Sequence, residues 1–164
     1  MFVRTKKIGS NKYAYLVVNN WVNGKTSQDS KYYLGRVFNF DLKNDIDFFG
    51  FVDYDVKKAS LEQVIKDLVA WELARHDFKK EDKVWKHGKL EVTPSKLDFS
   101  FRKKPFALAF HDGFLAKKTV ERVLNFKFRN DDLDAYHFAK CFVEAGMRIP
   151  DSVFVLLFDK LKRK

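Results

Sequence analysis

Asn23-Gly24 lies between two runs of strand-forming residues, and it constrains the fold more than any other stretch. A type I′ turn holds both central residues at positive φ, which Asn and Gly tolerate, and its twist matches that of the flanking strands. Tyr13–Val22 and Thr26–Val37 are therefore expected to form a hairpin. Ahead of it, Phe2–Ile8 alternates, with Phe2, Arg4, Lys6 and Ile8 on one side and Val3, Thr5 and Lys7 on the other. Gly9-Ser10-Asn11 supplies turn chemistry between the two. Met1–Val37 thus predicts a three-stranded antiparallel sheet carrying many tyrosine and basic side chains.

Beyond the sheet, Phe48–Tyr54 predicts a short strand broken at Gly50. Ser60 is the expected N-cap of a helix over Leu61–His76, with Gln63 completing a capping box. Leu61, Val64, Ile65, Leu68, Val69 and Trp71 form its apolar set. Phe78–Asp82 reads as a charged connection. Lys83–Val92 and Leu97–Phe101 read as strands separated by Pro94, with Gly88 marking a bulge or turn. Asp112 is expected to cap a helix over Gly113–Phe126. A second follows over Leu133–Ala145, with Gly146 at its C′ position, and Pro150 opens a third. The order strands, helix, strands, helices predicts an α+β fold: an antiparallel sheet with a packed central helix and a helical C-terminal segment. Residues 1–107 are expected to form a basic sheet domain and residues 108–164 the helical segment packed on it.

Several functional classes find no support. The single cysteine, Cys141, allows no internal disulfide or Cys-based metal cage, and its apolar helical setting marks a small buried hydrophobe. The four histidines are scattered and nowhere paired at metal-ligand spacing. There is no Walker loop and no Gly-x-Gly-x-x-Gly. No cofactor, metal or catalytic residue is therefore expected. Asp53 and Asp55 read as a solvated acidic loop, and Asp131, Asp132 and Asp134 as the acidic first turn of a helix. No apolar run is long enough to span a membrane, and no signal-peptide pattern opens the chain, so a cytoplasmic protein without a membrane partner is expected.

The net charge of +10 is unevenly spread. Met1–Arg36 carries seven basic residues against one acid, and residues 83–130 carry twelve against four. Segregated positive charge suits a polyanionic partner, because each neutralised phosphate releases condensed counterions. The candidate contacts are Arg4, Lys6, Lys7, Lys12, Tyr13, Tyr15, Lys25, Lys31 and Arg36 in the sheet, and Lys86, Lys89, Arg102, Lys103 and Lys104 in the second basic stretch. Trp21, Tyr32 and Tyr33 add aromatic surface of the kind that stacks on unpaired bases. Strand alternation places only a subset of these on any one face. The same lysines also guard exposed strand edges, a reading that stands beside the binding one.

Phe2-Val-Arg-Thr-Lys-Lys, Tyr13-Ala-Tyr-Leu-Val, Asn23-Gly-Lys and Lys31-Tyr-Tyr-Leu-Gly-Arg-Val37 resemble the opening of DDE-type insertion-sequence transposases. This stretch, the first quarter of the chain, is also similar to small stand-alone proteins of archaeal type. In the transposases the region precedes the catalytic domain and is associated with DNA binding. Their catalytic domain needs three carboxylates on an RNase H-like fold to hold two metal ions, and the resemblance does not reach that far. It implies nucleic-acid binding without the reaction. The expectation is a non-enzymatic protein that contacts phosphates through basic strands, with DNA ahead of RNA. A ribosome-associated or other RNA-binding factor, a protein-interaction module using the C-terminal helices, and a metal-dependent nuclease remnant at Asp53 and Asp55 stay open beside it.

Overall fold

The hairpin centred on Asn23-Gly24 forms as the dipeptide dictates. The computed structural model describes residues 1–163, with the side chains of all but Val22, Lys25 and Thr26. Strands β1 (Phe2–Ile8), β2 (Asn11–Val22) and β3 (Lys25–Asn39) make an antiparallel meander. Val22 pairs with Lys25, and Asn23 and Gly24 have φ of 51° and 73°, as a type I′ turn requires. Pairing of β1 stops at Phe2–Val17 while β2 and β3 run on, so residues 18–30 project as a two-stranded ribbon. Two bulges interrupt the β2–β3 register, leaving Lys31 and Leu34 unmatched on β3.

The remaining elements are α1 (Phe48–Phe51), α2 (Leu61–Arg75), β4 (Lys79–Glu81), β5 (Val84–His87), β6 (Leu90–Thr93), a 3-10 turn at Pro94–Lys96, β7 (Asp98–Phe101), β8 (Lys104–Phe110), β9 (Gly113–Leu115), α3 (Lys117–Leu124), α4 (Asp134–Glu144) and α5 (Asp151–Lys162). The strands lie in the order β1-β2-β3-β8-β7-β6-β5-β4, with β9 beside β8. Helix takes 33% of the chain and strand 35%, and every pairing except β3 with β8 is antiparallel, so the fold is of the expected α+β class.

Sequence pattern assigns no element to residues 105–111, yet β8 is the strand that joins the two halves. It pairs in parallel with β3 through Arg36–Phe106 to Asn39–Ala109, and antiparallel with β7 and β9. Large and small residues alternate along it. Phe106, Leu108 and Phe110 enter the main core with Val64, Ile65 and Leu68 of α2, while Ala107 enters a smaller core with Ala14, Leu16, Leu34 and Ala116. The division expected at residue 107 falls inside this strand.

Other expectations are corrected. Phe48–Phe51 is a helical turn, because Asp47 Oδ2 accepts from the Gly50 amide at 2.8 Å and so caps it. Residues 79–81 form the edge strand β4 in place of a connection, whereas Gly88 does mark a turn, the hairpin Gly88-Lys89 that splits residues 83–92 into β5 and β6. Asp112 caps nothing: Gly113–Leu115 pairs with β8, and the helix starts at Lys117, where the Thr119 hydroxyl accepts from the Ala116 amide. Ser60 caps α2 as expected, through a 3.1 Å bond from the Gln63 amide, but the Gln63 side chain turns to Asp67 and leaves the capping box incomplete.

Gly35 is where β3 and β8 meet. Its φ is +109°, and a Cβ there would lie 2.0 Å from the Pro105 carbonyl oxygen. Both the backbone angle and the approach require glycine. Gly35→Ala is expected to lower unfolding free energy by on the order of 3 kcal/mol, read from denaturant midpoints. A loss under about 0.5 kcal/mol would show that the two strands tolerate separation.

Candidate functional site

Antiparallel neighbours share a face, so the register assigns the side chains of the meander. Arg4, Tyr15 and Tyr33 stand in one row and Lys6, Tyr13 and Arg36 in the next. By plain alternation Tyr33 and Arg36 would point oppositely; the bulge at Leu34 brings them to the same side. The rings confirm it: Tyr33 lies 5.3 Å from Tyr15 and 6.4 Å from Tyr13 between centroids. Lys6 Nζ sits 5.4 Å above Tyr15. The row continues across the sheet. The Arg36 guanidinium lies 4.9 Å over Phe38, Phe38 meets Phe101 edge-on at 5.3 Å, and Arg102 lies 5.3 Å over Phe101. A contiguous basic and aromatic band therefore runs from β1 to the β7–β8 turn.

That turn breaks the usual turn chemistry. Arg102 and Lys103 occupy its two central positions at φ of 50° and 63°, where Asn-Gly is the favoured pair. Lys103, Lys104 and Tyr33 line a cleft of about 480 Å³ that Lys117 and Lys118 also enter, with Asp98 as its acid. The structure thus brings together Arg4, Lys6, Tyr13, Tyr15, Arg36, Arg102, Lys103 and Lys104 of the candidate residues.

The others lie elsewhere. Lys7 and Lys12 pair with each other on the opposite face, at the end of the β1–β2 hairpin. Lys31 is exposed in its bulge, and the Lys25 side chain lies outside the described residues. Lys86 is held on β5 by Glu81 at 2.6 Å and Glu91 at 3.9 Å, and Lys89 sits in the adjacent turn, on the far side of the sheet order from β1–β3. Asp53 and Asp55 are exposed ahead of α2, where Asp55 Oδ1 accepts from the Lys57 amide.

A second constellation escapes sequence inspection. Glu72 and His76, one helical turn apart on α2, meet His111 from the β8–β9 turn, with one donor atom of each within 4.8 Å of the other two. Glu72 is fully buried. Its Oε1 accepts from the Arg148 amide at 2.7 Å and Arg75 Nη1 at 3.3 Å, and its Oε2 from His111 Nε2 at 3.1 Å. His76 donates Nδ1–H to the Glu72 carbonyl at 2.8 Å and stacks on Phe110 at 3.7 Å. Burial lowers the His76 pKa below its ordinary 6.5 and keeps the ring neutral. Both carboxylate oxygens and the ring nitrogen nearest to them are engaged in hydrogen bonds, so the cluster acts as a clamp joining α2, the β8–β9 turn and the loop after α4. The Glu72–His76 spacing is visible in the sequence; His111 has no local signal.

Two outcomes test the clamp. Glu72→Gln should destabilise the protein by about 3 kcal/mol, since Arg75 would remain buried beside a neutral group. A buried neutral histidine binds a proton more weakly folded than unfolded, so its contribution is full above the unfolded value of 6.5 and is lost as pH falls from 6.5 toward the lower folded value. Unfolding free energy, read from denaturant midpoints, should drop over that window with a slope of at most about 1.4 kcal/mol per pH unit from this residue. The slope should shrink in His76→Phe; an unchanged slope assigns the proton elsewhere.

No family model, no curated protein and no solved structure matches the chain.

Proposed function

We propose that this chain binds nucleic acid, DNA ahead of RNA, through the band that runs from Arg4 and Lys6 across Tyr13, Tyr15, Tyr33 and Arg36 to Arg102 and Lys103. The observation that carries the reading is the continuity of that band. Its cations alternate with tilted tyrosine rings, of which Tyr33 is half exposed. Guanidinium and ammonium groups neutralise phosphates, and an exposed tyrosine ring offers a stacking platform to a base. A second support is the strained turn. A lone non-glycine residue at positive φ is uncommon, and a pair at a hairpin turn marks a place where something other than stability selects the side chains. No helix of the described residues is long and apolar enough to cross a membrane.

Phosphate contacts make affinity depend on salt. With roughly five neutralised phosphates on a single strand, raising salt from about 50 to about 200 mM should weaken binding about a hundredfold. Fluorescence anisotropy with single-stranded DNA, duplex DNA and RNA at both salts measures this and ranks the three. The variant Arg4→Glu/Lys6→Glu/Arg36→Glu should lose binding and flatten the salt slope, while Lys86→Glu/Lys89→Glu, on the far side of the sheet order, should bind as the parent does. Absence of binding to every probe at low salt, or an unaffected triple variant, defeats the reading.

A further inference from the structure

The face that carries the band continues past the end of β1. Residues 18–30 project as a ribbon, and both extra residues of the β2–β3 ladder lie on β3, so side chains along β2 alternate without interruption from Tyr13 to Trp21. Tyr13, Tyr15, Val17, Asn19 and Trp21 therefore share one side. After Arg4–Tyr15–Tyr33 the register gives the row Phe2–Val17–Ser30, then Asn19–Gln28, then Trp21–Thr26. A side-chain contact agrees with that order: Arg4 Nη1 donates to Gln28 Oε1, so a cation of the band reaches onto the ribbon. The other side of the ribbon is marked by Asn20, whose Nδ2 donates to Asp29.

Trp21 stands at the far end of this face, one pair before Val22–Lys25 closes the ladder. Its side chain is 75% exposed, more than any other large apolar residue described, whereas Trp71 and Trp85 are 6% and 7% exposed in the main core. From Tyr15 to Trp21 the strand covers roughly 20 Å at the usual rise per residue. Between Val18 and Ser30 the charged residues are Lys25 and Asp29, which cancel. The ribbon therefore adds no net charge to the band. What it adds is an indole ring, with the amides of Asn19 and Gln28 between it and the cations.

We propose that Trp21 stacks on an unpaired base of a strand whose phosphates lie on the cations of the band, so that the ligand class is single-stranded nucleic acid. The assignment rests on the nucleic-acid reading of the band and adds to it the end of the site and the state of the bases. Arg4, Lys6 and Arg36 neutralise phosphates, and Trp21 covers a base face. Within a duplex both faces of a base are covered by its neighbours, and exposing one costs unstacking. A single strand offers its bases without that cost, and every base has a π-face, so the contact tolerates any sequence.

Tryptophan emission of the full chain tests the assignment, with oligothymidylate and duplex DNA of equal length as the probes. Acrylamide should quench one accessible indole in the free protein, because Trp71 and Trp85 are buried. Oligothymidylate should quench that emission and shield it from acrylamide, and the duplex should do so less. Trp21→Ala should weaken oligothymidylate binding about tenfold or more. Its salt dependence should match the parent's, since no phosphate contact is removed. Trp21→Phe keeps a ring and should recover part of the loss, and both variants should melt with the parent because the side chain is exposed. A parent that binds the strand with its emission unchanged, together with Trp21→Ala binding equally well, overturns the stacking role and leaves the band reading standing. Duplex bound as tightly as the strand, with the same dependence on Trp21, overturns the single-strand assignment. A parent that binds neither probe at low salt removes the band reading, and this inference with it.

Discussion

The parallel pairing of β3 with β8 holds the molecule together. It needs a strand whose two faces differ in size, and Phe106-Ala107-Leu108-Ala109-Phe110 supplies one. The bulky side fills the space under α2, and the alanine side lets Ala116 and Leu34 approach closely. It also needs backbones in contact at Gly35. From that anchored strand hang both tight turns of interest. Arg102-Lys103 precedes it, and His111 follows it and reaches back to Glu72 on α2. A second close approach, Gly113 against the Val143 carbonyl, seats the same strand pair on the end of α4.

The bulges of β3 decide what each face of the meander can do. Without them, Tyr32 and Tyr33 would still diverge, but Arg36 would leave the side of Tyr33, and the band would end at the tyrosines. With them, one tyrosine joins a row of cations and the other closes a groove of different chemistry. The chain's positive charge is thus divided between two surfaces. The band presents cations and rings in a line. The groove sets Lys127, Arg129 and Lys140 beside Phe126 and Phe128.

Local chemistry made much of the frame readable. Asn23-Gly24 set the hairpin and Ser60 the start of α2, while Gly146, at φ +66°, ends α4 as its C′ residue. The central strand was not readable, because five apolar residues in a row lack turn signals and give no decisive period. Phe48–Phe51 has strand composition, and only the Asp47 cap makes it helical. Among the candidate residues, Arg4, Lys6, Tyr13 and Tyr15 follow from simple alternation. Arg36 needed a bulge that no residue type announces. Lys86 and Lys89 share the basic sign but lie beyond β8, β7 and β6, a matter of strand order that sequence does not encode locally. The Glu72 clamp draws on segments far apart in the chain, so it has no motif.

Arg102 and Lys103 hold a conformation in which nearly any residue with a β-carbon is strained, at a turn that Asn-Gly would form with less strain. A tight two-residue turn fixes the two Cα positions that carry these cations, while the exposed side chains themselves stay free to rotate. The molecule trades some resistance to unfolding for two cations at the tip of the β7–β8 hairpin, and an Asn-Gly replacement would make a sturdier protein with a blunted edge to its positive band.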